Sequence, residues 1–233
     1  MSTPTDVSHD FANLVATARY ADLSADAVEA TKKSILDTLG VILAAGGVEP
    51  RVRAVIDFVR ESGGRPESSV LGFPGRVPAI QAAFANGVMA HCLDFDDRTP
   101  WGAHSGSSAV PAALALAERN GGISGLQMIT AIALAQDMFM RLRYNVGWRQ
   151  DWNLSQVLGV FSATAAAAHV LGFSREQAAN ALGIASLQSC GTMEAMYAAG
   201  SDLRGMYAGF TAKGAVTAVL LAEKGVTGIS SLF

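Results

Sequence analysis

The segment HCLDFDDRTPWGAHSGSSAVPAALALAE, His91 to Glu118, concentrates the residues of this chain that could move protons or hold anions. Asp94, Asp96 and Asp97 crowd three carboxylates into four positions, Arg98 follows, and histidines stand at both ends of the charged part, His91 and His104. Neighbouring carboxylates repel one another, and the start of a helix has use for only one or two of them. An aspartate beside a histidine is a workable acid/base pair, because each shifts the other's pKa toward useful values. The loop RTPWGAHSGS has the reach to bring His104 back over Asp94. The helix expected after it would then offer free backbone N–H groups and a positive dipole end to an anionic ligand. The plain alternative is a solvated acidic loop in which His104 or Ser107 caps that helix.

Metal binding is a rival use of the same residues. Asp94, Asp96 and Asp97 could hold Mg²⁺, and an aspartate-rich turn in an all-helical protein resembles diphosphate-using prenyl-transferring enzymes. Such chemistry needs a second metal-binding motif on a facing helix. Asp137 is the only acid in the next long helix and Glu194 stands alone, so no metal is expected. Elsewhere, Arg141 and Arg143 end a helix, where the dipole stabilises cations. Arg204 follows a Gly-rich loop and could grip a carboxylate with its planar fork. His169 lies in an Ala-rich helix and reads as core or interface. Cys190 has no histidine beside it in sequence, and GGISG lacks the strand and lysine of a phosphate loop.

The elements that must position these groups are nearly all helices. Ser24 predicts the cap of a helix with Asp26 in its first turn, ending near Gly46 and Gly47, with Val28, Ile35, Leu36, Leu39, Ile42 and Leu43 at helical spacing. A second starts at Pro50, turns Val52, Val55, Ile56 and Val59 inward, and ends at ESGG. SSVLGF, Ser68 to Phe73, is the single plausible strand. Helices follow over 78–91, 107–118, 124–142 and 157–171. Ser174 with Gln177 forms a capping box for the next, through Leu187, and a last helix covers 207–224. Short Gly-rich breaks fit a compact multi-helix array of the all-α class. Its many Ala, Gly and Ser residues would let helices approach closely.

Bulk properties narrow the function. Half of the 233 residues are hydrophobic, 16% are charged and the net charge is −3. A chain so poor in charge is expected to cover surface against a second copy or a partner. The acidic balance argues against nucleic acid. Two cysteines, Cys92 and Cys190, fit reduced thiols of a cytoplasmic protein. The N-terminus has neither the basic nor the apolar region of a secretory signal. The charge-free run from Asn153 to Ser174 is interrupted by polar residues and rich in alanine, which indicates a buried helix rather than a membrane span.

Several blocks resemble the MmgE/PrpD family, which includes 2-methylcitrate dehydratases, cis-aconitate decarboxylases and iminodisuccinate epimerases. They are AAFANGVMAHCLDFDDRT with HSGSSAVPAALALAE, then LGVFSATAAAAHVLGFSREQAANALGIASLQSCGTMEA, GSDLRGMYAGFTAKGAVTAVLLAEKGVTG and the early ARYADLSADAVEATKKSILDTLGVILAA. The resemblance implies that residues 1–233 form one large helical domain, which in the family precedes a smaller α/β domain. It implies a lyase or isomerase that removes or adds a proton next to a carboxylate of a small organic acid, as dehydratase, decarboxylase or epimerase, with no metal or organic cofactor.

Asp94 matches the first acid of the family's DFDD block, and His104 the histidine of the following block. These are the expected catalytic residues. Arg98 stands where threonine is usual, with Thr99 one step later, and Ser105 replaces a proline. The second family histidine falls on Asn153, a lysine on Arg204 and a further histidine on Tyr207. Asn153 cannot transfer protons as histidine does. Arg204 keeps its charge without being able to act as base. Arg98, Thr99, Asn153, Arg204 and Tyr207 are accordingly expected to bind substrate in an anion pocket with altered proton chemistry. The sequence ends near the family's crossing into its second domain. A homo-oligomer, commonly a homodimer, is one expectation. The alternative is an obligate, non-catalytic subunit completed by a second chain carrying that domain.

Overall fold

The computed structural model describes residues 6–147 and 151–233. The helices are α1 (Val7–Thr17), α2 (Ala25–Val48), α3 (Arg51–Glu61), α4 (Ala79–His91), α5 (Gly106–Arg119), α6 (Gly125–Asn145), α7 (Leu154–Val170), α8 (Arg175–Ala185), α9 (Glu194–Tyr197) and α10 (Leu203–Glu223). One antiparallel pair interrupts them, β1 (Ser68–Ser69) against β2 (Arg76–Val77), with Ser68 opposite Val77. The expected strand is therefore cut to two residues. The fold is all-α.

Local chemistry sets half of the helix starts among the described residues. Ser24 accepts from the Ala27 N–H at 3.2 Å, Ser124 from Gln127 at 3.1 Å, and Ser174 with Gln177 closes the expected capping box. Asn153 caps α7 by accepting from the Ser155 N–H at 3.1 Å, so that helix starts three residues ahead of its expected first residue, Val157. Helix α1 has no counterpart in the sequence reading. Asp6 caps it by accepting from the Ser8 N–H at 2.9 Å, and Ser8, Phe11, Ala12 and Val15 form its buried face, packed on α8 and α7.

Helix α2 buries Val28 and Ile42 of its apolar set and leaves Ile35 and Leu39 half-buried, while Leu36 and Leu43 are 71% and 58% exposed. Thr31, Ser34, Thr38, Val41 and Ala45 complete the buried face. Ser34 turns inward because it meets the acidic loop described below. Helix α3 does turn Val52, Val55, Ile56 and Val59 inward.

Helix α4 is buried over nearly its whole circumference and forms the centre of the array, with α10, α5, α2 and α3 around it. Its contact with α10 is the most extensive in the protein. Two glycines allow it. A Cβ on Gly87 would lie 2.8 Å from Gly209 Cα, and one on Gly209 would lie 2.6 Å from the Phe84 carbonyl oxygen. Backbone meets backbone here. Helix α10 is long and apolar enough to cross a membrane by composition, yet most of it is buried against α4, α7 and α8.

This contact yields a paired expectation. Gly87→Ala should lower the melting temperature, because overpacking costs about 1–3 kcal/mol and no flexible side chain can yield. Gly40 of α2 has nothing within 4 Å of a Cβ. Gly40→Ala should raise stability by up to about 1 kcal/mol through helix propensity alone. Thermal unfolding of both variants checks the difference, and equal shifts would rule out the close approach as the constraint.

Candidate active site

The site begins where α4 ends. His91 occupies the last turn and is 1% exposed. The chain then reverses through Asp94, whose φ of 51° is the only positive value at a non-glycine among the described residues. Aspartate tolerates this left-handed conformation better than most residues. The reversal turns the next residues back beneath the helix. There Asp96, its side chain 0% exposed, meets both histidines.

His91 Nδ1 lies 2.7 Å from Asp96 Oδ1, and His104 Nδ1 lies 3.1 Å from Asp96 Oδ2. His104 Nδ1 also lies 2.9 Å from the Asp97 carbonyl oxygen, the better directed of its two contacts. A carbonyl oxygen can only accept, so Nδ1 carries the proton. In neutral His104 the basic lone pair is therefore on Nε2. Burial works against a charged His104, but the hydrogen bond and charge of Asp96, with the Asp97 carbonyl, outweigh it and raise its pKa above 6.5. Burial pushes Asp96 upward, yet the hydrogen bonds from His104 and His91 hold it well below the usual carboxylate range. Asp96 stays ionised.

Asp97 faces away from this pair. Ser34 donates to its carboxylate at 2.5 Å, its own N–H donates to Asp37 at 3.0 Å, and Gln136 donates to the Ser34 hydroxyl at 2.6 Å. Burial, with Asp96 and Asp37 adding negative charge, raises its pKa against the Ser34 hydrogen bond. A Cβ on Gly106 would lie 2.6 Å from Asp97 Oδ1, so the protein's own carboxylate sits against the first turn of α5. That helix start is taken. The expected anion site there gives way to a cleft edged instead by the start of α7.

The loop to His104 is held by its own hydrogen bonds. Thr99 N–H donates to the Ala103 carbonyl at 2.8 Å, and the Thr99 hydroxyl accepts from the Ala103 N–H at 3.3 Å. Arg143 of α6, which the sequence reading left to the helix dipole, donates to the Trp101 carbonyl at 3.2 Å and anchors this loop from below. His104 N–H then donates to the Ser155 hydroxyl at 3.1 Å, which ties the histidine to α7.

These elements enclose a cleft of about 270 Å³. Of the expected residues, Asp94, Arg98, His104, Asn153, Arg204 and Tyr207 line it. Thr99 does not. It faces a separate hollow of about 200 Å³ with Gln136 and Met140, because its hydroxyl closes the loop turn. Asp94 pairs with Arg204 at 2.5 Å rather than with His104. The carboxylate at hydrogen-bonding distance from His104 is Asp96. Asn153 spends its oxygen capping α7, while its Nδ2 lies 3.2 Å from the Met196 sulfur. Tyr207 is buried with its ring 4.3 Å from that of His91. Its hydroxyl approaches Ser155 without a well-directed hydrogen bond, and burial raises its pKa far above the ordinary phenol.

His91 joins the site without a sequence expectation of its own; its signal is the five-residue step to Asp96 at the end of an otherwise apolar helix. Buried with it, Nε2 has no hydrogen-bond partner. His91, Asp96 and His104 are also the group that could converge on a metal ion. The 2.7 Å spacing of His91 Nδ1 and Asp96 Oδ1 is that of a hydrogen bond. A cation would have to displace the protons that keep the pair together.

The MmgE/PrpD N-terminal domain model matches residues 9–233. The chain is 30% identical to the cis-aconitate decarboxylase-like protein oryM of Aspergillus oryzae, over 100% of this chain and 50% of that protein. It is 28% identical to human cis-aconitate decarboxylase, over 95% of this chain and 47% of the relative. The cis-aconitate decarboxylase of Aspergillus terreus is also 28% identical, over 88% and 43%. The chain thus spans about half the length of the curated relatives it matches, proteins whose names describe decarboxylases, a kind of lyase. With its helical array, its DFDD turn and a family match over almost all of its length, the chain belongs to the MmgE/PrpD family.

Proposed function

We propose that the chain carries the acid/base part of a lyase or isomerase acting next to a carboxylate of a small organic acid. The observation that carries this reading is the buried Asp96 bridging His91 and His104 at the edge of a cleft that Arg204 and Arg98 also line. Names of the relatives favour loss of CO₂ as the reaction class. His104 is the proton carrier and Asp96 its positioning residue. Arg204 and Arg98 hold carboxylates, and Asn153 and Tyr207 shape the pocket. Asp94 holds Arg204 until a substrate carboxylate competes for it.

The proton step balances in either direction. Neutral His104 takes a proton at Nε2 from the carbon next to the carboxylate; the C–H electron pair moves into the carboxylate, and an imidazolium remains beside Asp96. In a decarboxylation the C–CO₂ bond breaks first and leaves its pair on carbon. The imidazolium then gives its Nε2 proton to that carbon. Asp96 favours the charged form of His104 in both cases. A raised pKa suits a group that must hold and release a proton near neutrality.

Two outcomes are expected. Incubated in D₂O with a panel of small di- and tricarboxylates, the native chain should exchange or form product, as read by proton NMR. His104→Ala should lose about 10²–10⁴-fold of that rate, and an undiminished rate would remove His104 from the mechanism. The rate of deuterium uptake, which needs neutral His104, should rise with pH through the raised His104 pKa. In Asp96→Asn the lost negative charge should move that inflection to lower pH, whereas Asp94→Asn should move it less. An inflection unmoved by Asp96→Asn would show that Asp96 does not control His104.

A further inference from the structure

A second cavity, of about 510 Å³, lies beside the polar cleft. Val52, Val55 and Phe58 of α3, Phe84 and Val88 of α4, and Phe210 of α10 give it apolar walls. The two spaces share His91, Asp94 and Arg204, so the Asp94–Arg204 ion pair stands at their junction. A group gripped by Arg204 has His104 on one side and the apolar walls on the other.

The charges around this cavity are already matched. Arg51 pairs with Glu49 at 2.7 Å and also with Asp202, and Lys213 Nζ lies 5.7 Å from the centre of the Phe84 ring. Cys92, also in the wall, has its thiol pushed up to about 11 by burial and by Glu49, so it stays neutral and adds apolar surface. Phe84 meets Phe210 edge-on at 5.0 Å and Phe58 at 6.2 Å. Phe58 and Phe210 nonetheless remain 53% and 46% exposed. A concave, mostly apolar space with a few fixed polar groups at one end is the usual form of a small-molecule site.

We propose that this cavity is the tail subsite of the same active site, and that the substrate is a small carboxylate carrying an apolar substituent of several carbons. This rests on the carboxylate reading of the cleft. Arg204 holds the head, the reacting carbon faces His104, and the tail covers the exposed aromatic surface. Continuity of the cavity with the cleft through Arg204 selects a tail of the substrate over a segment of another protein.

Calorimetric titration of the full chain with succinate and its 2-butyl, 2-hexyl and 2-octyl derivatives tests the proposal. Burial of each added methylene should tighten Kd by up to about fourfold. Ala54 is exposed on α3 and lines the cavity, so Ala54→Phe fills it without disturbing the core. The expected result is a rising series in the native chain and a flat one in Ala54→Phe. A flat series in the native chain, with succinate still bound, overturns the tail subsite and leaves the carboxylate reading standing. A rise that survives Ala54→Phe places the tail elsewhere and overturns it as well. Failure of every member to bind would overturn both readings.

Discussion

A carboxylate with no exposed side-chain surface is costly unless its charge is met, and the arrangement around Asp96 follows from that requirement. Two imidazole Nδ1 atoms lie against it: that of His91, at the end of α4, hydrogen-bonds one oxygen, and that of His104, in the loop before α5, stands 3.1 Å from the other while its proton is directed at the Asp97 carbonyl. Both contacts put the proton on Nδ1. The need to satisfy one buried charge thereby fixes the face that His104 turns toward the cleft. It also explains the left-handed Asp94, since the chain must fold sharply back after α4 for Asp96 to reach beneath it.

Helix packing holds this arrangement in register. His91 belongs to α4, while Arg204 and Tyr207 belong to α10, and the backbones of the two helices meet at Gly87 and Gly209. A contact of that kind leaves little freedom to slide or tilt. The rings of His91 and Tyr207 consequently meet at a tilt of 55°, and Arg204 reaches Asp94 just beyond the end of the neighbouring helix. From the opposite side, α2 uses Ser34 and Asp37 to receive the acidic loop, and its Leu36 and Leu43 are left facing outward.

The polar residues lining the cleft fall into two physical roles. Asn153 has its oxygen committed to the start of α7, a bond that any short polar cap could supply. Arg204 brings a permanent charge, which Asp94 meets in an ion pair at the cleft wall. The buried imidazole–carboxylate contacts are thus concentrated around Asp96, while Asp94 and Arg204 place an ion pair in the cleft wall.

The sequence by itself determined the helical class, the serine-capped helix starts and the segment that carries the charged groups. Caps and apolar periodicity are local, so they can be read from residues a few positions apart. Asp94, His104, Arg204, Asn153 and Tyr207 could be named because their types and family positions are local facts too. Only the tertiary structure decided which acid meets His104. Asp94, Asp96 and Asp97 are equivalent in composition, and a single left-handed residue decides which one turns inward. It also decided what the polar positions of α2 are for, because Ser34 and Asp37 have their partner Asp97 in a loop sixty or more residues away. No pattern within the helix announces contacts of that range.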